Sequence, residues 1–168
     1  MSKLYFARLS EDAVIPTKRQ EDAGYDIYAC FDEDYIVLKP NQTVNIGTGI
    51  ASSFPSDYVA VMKERGSSGK IGIGQRSGVV DSGYRGEWFV PLTNHSDKDI
   101  FISKLTHEEM IEKGLMKEGQ DHYWGYRKAI TQAIIIPLAP IDSEEIPYES
   151  LLEFKSLRGS GHSGSSGK

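Results

Sequence analysis

A chain of 168 residues with 39% hydrophobic residues and 17 glycines has the length and apolar share of one ordinary globular domain, which argues against a two-domain enzyme. Nineteen Lys and Arg against 24 Asp and Glu leave a net charge of −5, the wrong sign for coating a phosphate backbone, so a general nucleic-acid-binding role is disfavoured. The single cysteine, Cys30, precludes an internal disulfide or multi-thiolate zinc site, no leader-like run opens the chain, and the longest apolar stretch, 133–141, is broken by two prolines; the expectation is a soluble, cytoplasmic protein without a membrane segment.

Short alternating or β-branched runs separated by Gly, Pro, Asp and Ser predict strands at 4–8, 25–29, 35–38, 43–50, 58–63, 78–80, 87–93, 99–102 and 130–136, with a weak one near Ile146. That pattern predicts an all-β domain, a jelly-roll-like distorted β-barrel. Pro91 lacks a ladder donor, so its strand is expected at an edge or a bulge. One short helix is predicted, where Thr106-His107-Glu108-Glu109 reads as a capping box ahead of Met110 and Ile111, with Gly114 as the stop. His122, Tyr123, Trp124 and Tyr126 follow closely, and the stretch from about 106 to 128 reads as an insertion between two strands. From Arg158 onward the chain is almost entirely Gly and Ser, which cannot pack a core; the predicted organisation is a β-domain at 1–157 and a flexible C-terminal arm at 158–168.

Three segments could carry chemistry. The arm, bounded by Arg158 and Lys168, reads either as a plain flexible end or as a cradle of amides, hydroxyls and cations for a polyphosphate; it lacks the Gly-Lys-Ser/Thr order of a P-loop. The stretch Glu64-Arg65-Gly66-Ser67-Ser68-Gly69-Lys70 has the same donor types and reads either as a β-turn with solvated charges or as a second phosphate-binding patch. In Gly78-Val79-Val80-Asp81-Ser82-Gly83-Tyr84-Arg85-Gly86, Asp81 could cap an Asx-turn or act as the base that deprotonates a water beside a phosphate, and Tyr84 could pack under a sugar. Asp22 and Asp26 read as turn caps or as anchors for a hydrated Mg²⁺. The four histidines show no metal-ligand spacing.

Taken in order, Ala23-Gly24-Tyr25-Asp26-Ile27-Tyr28-Ala29, Arg65-Gly66-Ser67-Ser68, the 78–86 segment, Ile130-Thr131-Gln132, and Arg158-Gly159 with Gly164-Ser165-Ser166-Gly167 resemble the five motifs of trimeric deoxyuridine triphosphatases. The resemblance implies a homotrimer with shared active sites that hydrolyses dUTP to dUMP and pyrophosphate with Mg²⁺. It implies that Asp81 holds the attacking water and is catalytic, that Tyr84 lies against the deoxyribose, and that a hairpin at 74–80, with Gln75 and Gly78, reads uracil. It assigns Arg65, Ser67, Ser68, Arg158, Gly164, Ser165 and Ser166 to the phosphates, Gln132 to waters around the phosphates or metal, and Asp26 to the metal through water.

The sequence departs from the motifs at Gly66, where a Ser is usual, at Ala129, where an Arg is usual, and at Ser163, where a Phe usually covers the base; Trp124 of the insertion is the candidate replacement cover. The nearest alternative is a dCTP deaminase of similar fold, but Pro91 stands where such an enzyme carries its catalytic Glu, and proline cannot relay a proton. A catalytically weak binding or regulatory protein would have no need of Asp81, Gln132 and Arg158 together.

Overall fold

The computed structural model describes residues 2–157, 159 and 160. The chain divides into two compact units, residues 1–138 and 139–168. The described part of the first unit contains twelve strands: β1 (Tyr5–Arg8), β2 (Tyr25–Ile27), β3 (Tyr35–Leu38), β4 (Thr43–Gly47), β5 (Ile50–Ser53), β6 (Tyr58–Lys63), β7 (Ile73–Gln75), β8 (Val79–Asp81), β9 (Phe89–Asn94), β10 (Ile100–Ser103), β11 (His122–Gly125) and β12 (Thr131–Pro137). They form small sheets in the orders β1-β5, β11-β10-β3, β2-β12-β6-β8 and β4-β9-β7. This is the jelly-roll-like distorted β fold that the alternation predicts. Its core takes the inward residues of successive strands, among them Ile27, Leu38, Ile46, Met62, Val90, Leu92, Ile100 and Ile102, each contributing about 1.5–3 kcal/mol of burial.

Two one-turn helices accompany the expected one: α1 (Gly66–Gly69) and α3 (Tyr148–Leu152) flank α2 (His107–Glu112) in the chain. The capping box forms as read: the Glu109 amide donates to the Thr106 hydroxyl at 3.2 Å and the Thr106 amide to the Glu109 carboxylate at 2.7 Å. The weak strand near Ile146 does not form; the second unit has a short helix, α3, just beyond it, and none of that helix's described side chains is buried.

The run 43–50 is two strands rather than one. Gly49 adopts φ +63°, where a Cβ would stand 2.9 Å from the Cys30 sulfur, and the Glu87 carboxylate accepts the Thr48 and Gly49 amides at 3.0 and 2.8 Å. The turn is thus closed by a residue 38 positions away. Pro91 lies in the middle strand of β4-β9-β7, not at an edge. Its carbonyl accepts the Arg76 amide at 2.9 Å, one residue beyond the end of β7, so its missing N–H faces the margin where pairing has already stopped.

The insertion adds α2 and β11, the latter parallel to β10 with Ile102 opposite Trp124. Trp124, 1% exposed, faces the main core and donates its indole N–H to the Lys128 carbonyl, so it is core and not a cover for a base. Its neighbour Tyr123 points the other way, as alternation requires, onto a satellite cluster of Phe101, Met110 and Met116. Between Trp88 and Phe89, Trp88 is buried and Phe89 exposed.

Candidate active site

The register of β2-β12-β6 brings distant parts of the sequence side by side. Gln132 lies opposite Asp26 on one side and Lys63 on the other. Just past the end of β6, Arg65 turns back: its Nε lies 3.1 Å from Asp26 Oδ1, and Nη1 donates to the Ala129 carbonyl at 3.3 Å. Gln132 donates to the Glu64 carbonyl at 2.9 Å. Gly24 makes room for it, since a Cβ there would meet the Gln132 carboxamide oxygen at 2.7 Å. The first, second and fourth of the matched motifs are therefore fastened to one another by side-chain contacts.

In α1 the Ser68 hydroxyl is buried and bonds back to Arg65, donating to its carbonyl at 2.9 Å and accepting its amide at 3.3 Å, whereas Ser67 is exposed. Ser68 holds the turn and Ser67 presents its hydroxyl outward. Asp26, Arg65, Ser67 and Gln132 line a cleft of about 710 Å³ that also takes in the 17–24 loop. That loop is closed by a two-point ion pair, Arg19 to Asp22 at 2.9 and 3.0 Å. Hydrogen bonding to Arg19 holds the Asp22 carboxyl below the usual carboxylate range, and the same bond raises Arg19. Sequence reasoning did not connect Lys18 and Arg19 with the cleft; the signal was a basic pair followed at i+3 by Asp22, the spacing of a turn closed by its own ion pair.

Asp81 stands elsewhere on the sheet. It pairs with Val59 near the start of β6, whereas Gln132 pairs with Lys63 at its end; four residues of strand separate the two, about 13 Å. The Asp81 carboxylate is exposed and makes no hydrogen bond or ion pair among the described residues. The turn that carries it is braced from several directions: the Tyr84 amide donates to the Asp81 carbonyl at 3.1 Å, the Tyr84 hydroxyl to the Glu87 carbonyl at 3.0 Å, and Arg85 to the Ser82 carbonyl at 2.6 Å. Gly86 lets the Tyr84 ring lie down, because a Cβ there would fall 2.6 Å from the ring's Cζ. Arg85 and Glu87 are braces that sequence reasoning missed; their partners are main-chain groups, which no residue pattern reveals.

The 74–80 segment is not a paired hairpin: β7 belongs to the sheet of β9 and β8 to that of β6, so it crosses between sheets. Gln75 fastens the crossing, donating to the Met62 carbonyl at 2.9 Å and accepting the Ser77 amide at 2.8 Å. Gly78, at φ +67°, accepts the Met62 amide through its carbonyl. Arg158, Ser163, Gly164, Ser165 and Ser166 lie outside the described residues.

No group of three or more His, Cys, Asp or Glu side chains capable of holding a metal occurs among the described residues. Of the cleft's three carboxylates, Glu21, Asp22 and Asp26, it is Asp26 that lies opposite Gln132 across the β2-β12 pair. That donor set fits a hydrated Mg²⁺, which keeps most of its waters and needs only one or two protein oxygens besides phosphate.

The dUTPase family model matches residues 11–107, more than half of the chain. The deoxyuridine 5'-triphosphate nucleotidohydrolase of Nautilia profundicola is 32% identical, covering 99% of this chain and 99% of its own. Among solved structures, the Staphylococcus bacteriophage 80alpha dUTPase with dUPNHPP superposes with a TM-score of 0.72 at 26% identity over 99% of each chain. A dUTPase of S. aureus phage phi11, described with a structural Mg(II) ion, gives 0.65 at 23% identity, covering 88% of this chain and 99% of its own. In motif order, in fold and along its length, this chain belongs to the dUTPase family.

Proposed function

We infer that this chain hydrolyses dUTP to dUMP and pyrophosphate, the substrate for which its Nautilia relative is named. In the structure, the observation that carries the reading is Asp81: an exposed carboxylate with no partner among the described residues, on a turn braced through Tyr84 and Arg85. Its role is general base. The carboxylate takes a proton from a water whose oxygen bonds to the α-phosphorus, the bond from that phosphorus to the bridging oxygen breaks, and pyrophosphate leaves with the electron pair. Tyr84 packs against the deoxyribose, and the main chain of 74–80, braced by Gln75 and turned at Gly78, reads the uracil. Arg65 and Ser67, joined by Arg158, Gly164, Ser165 and Ser166 of the arm, bind the phosphates; Ser68 supports them by fixing the α1 turn. Mg²⁺, held through water by Asp26 next to Gln132, supplies positive charge to the phosphate oxygens when bound.

The working unit is a homotrimer whose sites are shared between chains. Two observations support it. Asp81 and the Asp26–Arg65–Gln132 cleft lie at opposite ends of β6, too far apart in one chain to touch one α-phosphate together. Ile141, Leu151, Leu152 and Phe154 of the second unit are each more than half exposed, apolar surface that a second copy would cover. A pyrophosphate-release assay across dUTP, dTTP, UTP and dCTP tests the activity: strong preference for dUTP is expected, and ammonia from dCTP, or no release from dUTP, would refute it.

A further inference from the structure

Three cationic side chains line the cleft that holds Asp26 and Gln132: Lys18, Arg19 and Arg65. Two are already neutralised by carboxylates, Arg19 by Asp22 and Arg65 by Asp26. Lys18 is different. Its ammonium lies 2.9 Å from the Asp22 carbonyl, 3.4 Å from the Arg19 carbonyl and 5.7 Å from the centre of the Tyr25 ring. None of these is an anion, and no carboxylate pairs with it among the described residues. Two carbonyls take two of the three ammonium donors and leave the third open. The same contacts hold the side chain in place, so little rotamer freedom is left to lose when an anion arrives.

Resting on the reading of the site above, we propose that Lys18 is a substrate-binding residue whose ammonium contacts the phosphate chain of the bound nucleoside triphosphate. The cleft's lining side chains otherwise cancel, Arg19 and Arg65 against Asp22 and Asp26, with Glu21 adding a negative charge. Among the described residues that line it, Lys18 is the cation that need not first give up a carboxylate to meet a triphosphate. Arg19 suits the role less well, since its Nε and one Nη are bonded to the Asp22 carboxylate, whose charge offsets its own.

The variants are Lys18→Gln, whose carboxamide can still donate to the Asp22 carbonyl but carries no charge, and Lys18→Arg, which restores the charge. Each is assayed as the full chain for kcat and KM with dUTP, and by calorimetry for dUPNHPP and dUMP. Losing one charge-assisted contact at an exposed site should raise KM for dUTP and weaken dUPNHPP by about tenfold, with kcat within about twofold. Binding of dUMP, which lacks the outer phosphates, should change by less than about threefold, and Lys18→Arg should recover most of the loss. An unchanged KM in Lys18→Gln, or equal weakening of dUMP and dUPNHPP, would overturn the proposal and leave Lys18 a brace of the 17–24 loop. If the parent binds dUPNHPP through Lys18 but releases no pyrophosphate from dUTP, the contact stands and the hydrolysis reading falls; if it binds no dUPNHPP, both fall.

Discussion

The two ends of β6 treat charge in opposite ways. Beyond Lys63, two cations are spent on carboxylates of the protein itself: Arg65 on Asp26, with the Ala129 carbonyl, and Arg19 on Asp22. Opposite Val59, the Asp81 carboxylate is left without a partner while the turn beneath it is pinned through Tyr84 and Arg85. A carboxylate whose lone pairs face a guanidinium is oriented but occupied; one that faces solvent from a rigid turn is positioned and free to accept a proton. On the proposed reading, the first end holds the ligand in place and the second reacts with it.

Breaking the second end should have the larger effect. Asp81→Asn keeps the shape and removes the base, so kcat should fall about 10²- to 10⁴-fold with an unchanged melting temperature. Turnover within about threefold of the parent would take the role of base away from Asp81. At the first end, Arg65→Gln frees Asp26 and removes a phosphate-binding cation; KM should rise about 10- to 100-fold, while stability falls by no more than about 1 kcal/mol because the pair is partly exposed. A large loss of stability with KM unchanged would mean that Arg65 only holds the sheet together.

A subtler change sharpens the contrast by moving a neighbour of Asp81 without touching the carboxylate. Gly86→Ala drives a methyl group into the Tyr84 ring, and discrimination between dUTP and UTP should fall by about tenfold if that ring excludes the 2′-hydroxyl, a loss of the size that one misplaced contact gives. Equal discrimination in parent and variant would remove Tyr84 from sugar selection.

The smallest effect is expected away from both ends. Burial first, then the Cys30 thiol, raises the pKa of the Tyr126 phenol, against an opposing bond with the Phe31 main chain; burial, with Glu108 and Glu109, raises that of Tyr123. A phenol raised on folding contributes stability that is complete below its unfolded pKa of about 10 and is lost as pH rises through the folded value. Tyr126→Phe should therefore flatten part of the alkaline loss, read as the urea midpoint against pH, with stability at neutral pH within about 1 kcal/mol of the parent's; an alkaline loss as steep as the parent's would mean that Tyr126 does not carry it.

How much of this was legible in the sequence depended on whether the cause was local. β3 and β6 are found at 35–38 and 58–63 as their alternation predicts, and the α2 capping box is complete within four residues. The break between β4 and β5 was not legible because Glu87 closes it from far along the chain. For the same reason β11 is not among the predicted strands and falls in the 106–128 insertion: its aromatics find their roles only in the main and satellite cores. At the site, motif order pointed to Asp26, Arg65, Asp81 and Gln132, yet nothing in that order told which of them meet. The distance of Asp81 from Gln132 follows from strand register, and the pairing of Arg65 with Asp26 and the place of Lys18 in the cleft from the turns just outside the strands.

The central claim, that Asp81 of one copy works on a ligand held by the cleft of another, is tested most directly by mixing. Asp81→Asn and Arg65→Gln chains are denatured together, refolded in equal amounts and assayed for pyrophosphate release at dUTP well below the parent's KM, where each alone is nearly inactive. In a symmetric assembly with shared sites, random association leaves about one quarter of the sites with both an intact Asp81 and an intact Arg65, and activity should return to about that fraction of the parent's. Activity no greater than the average of the two variants alone would place both residues' work within a single chain and contradict the account.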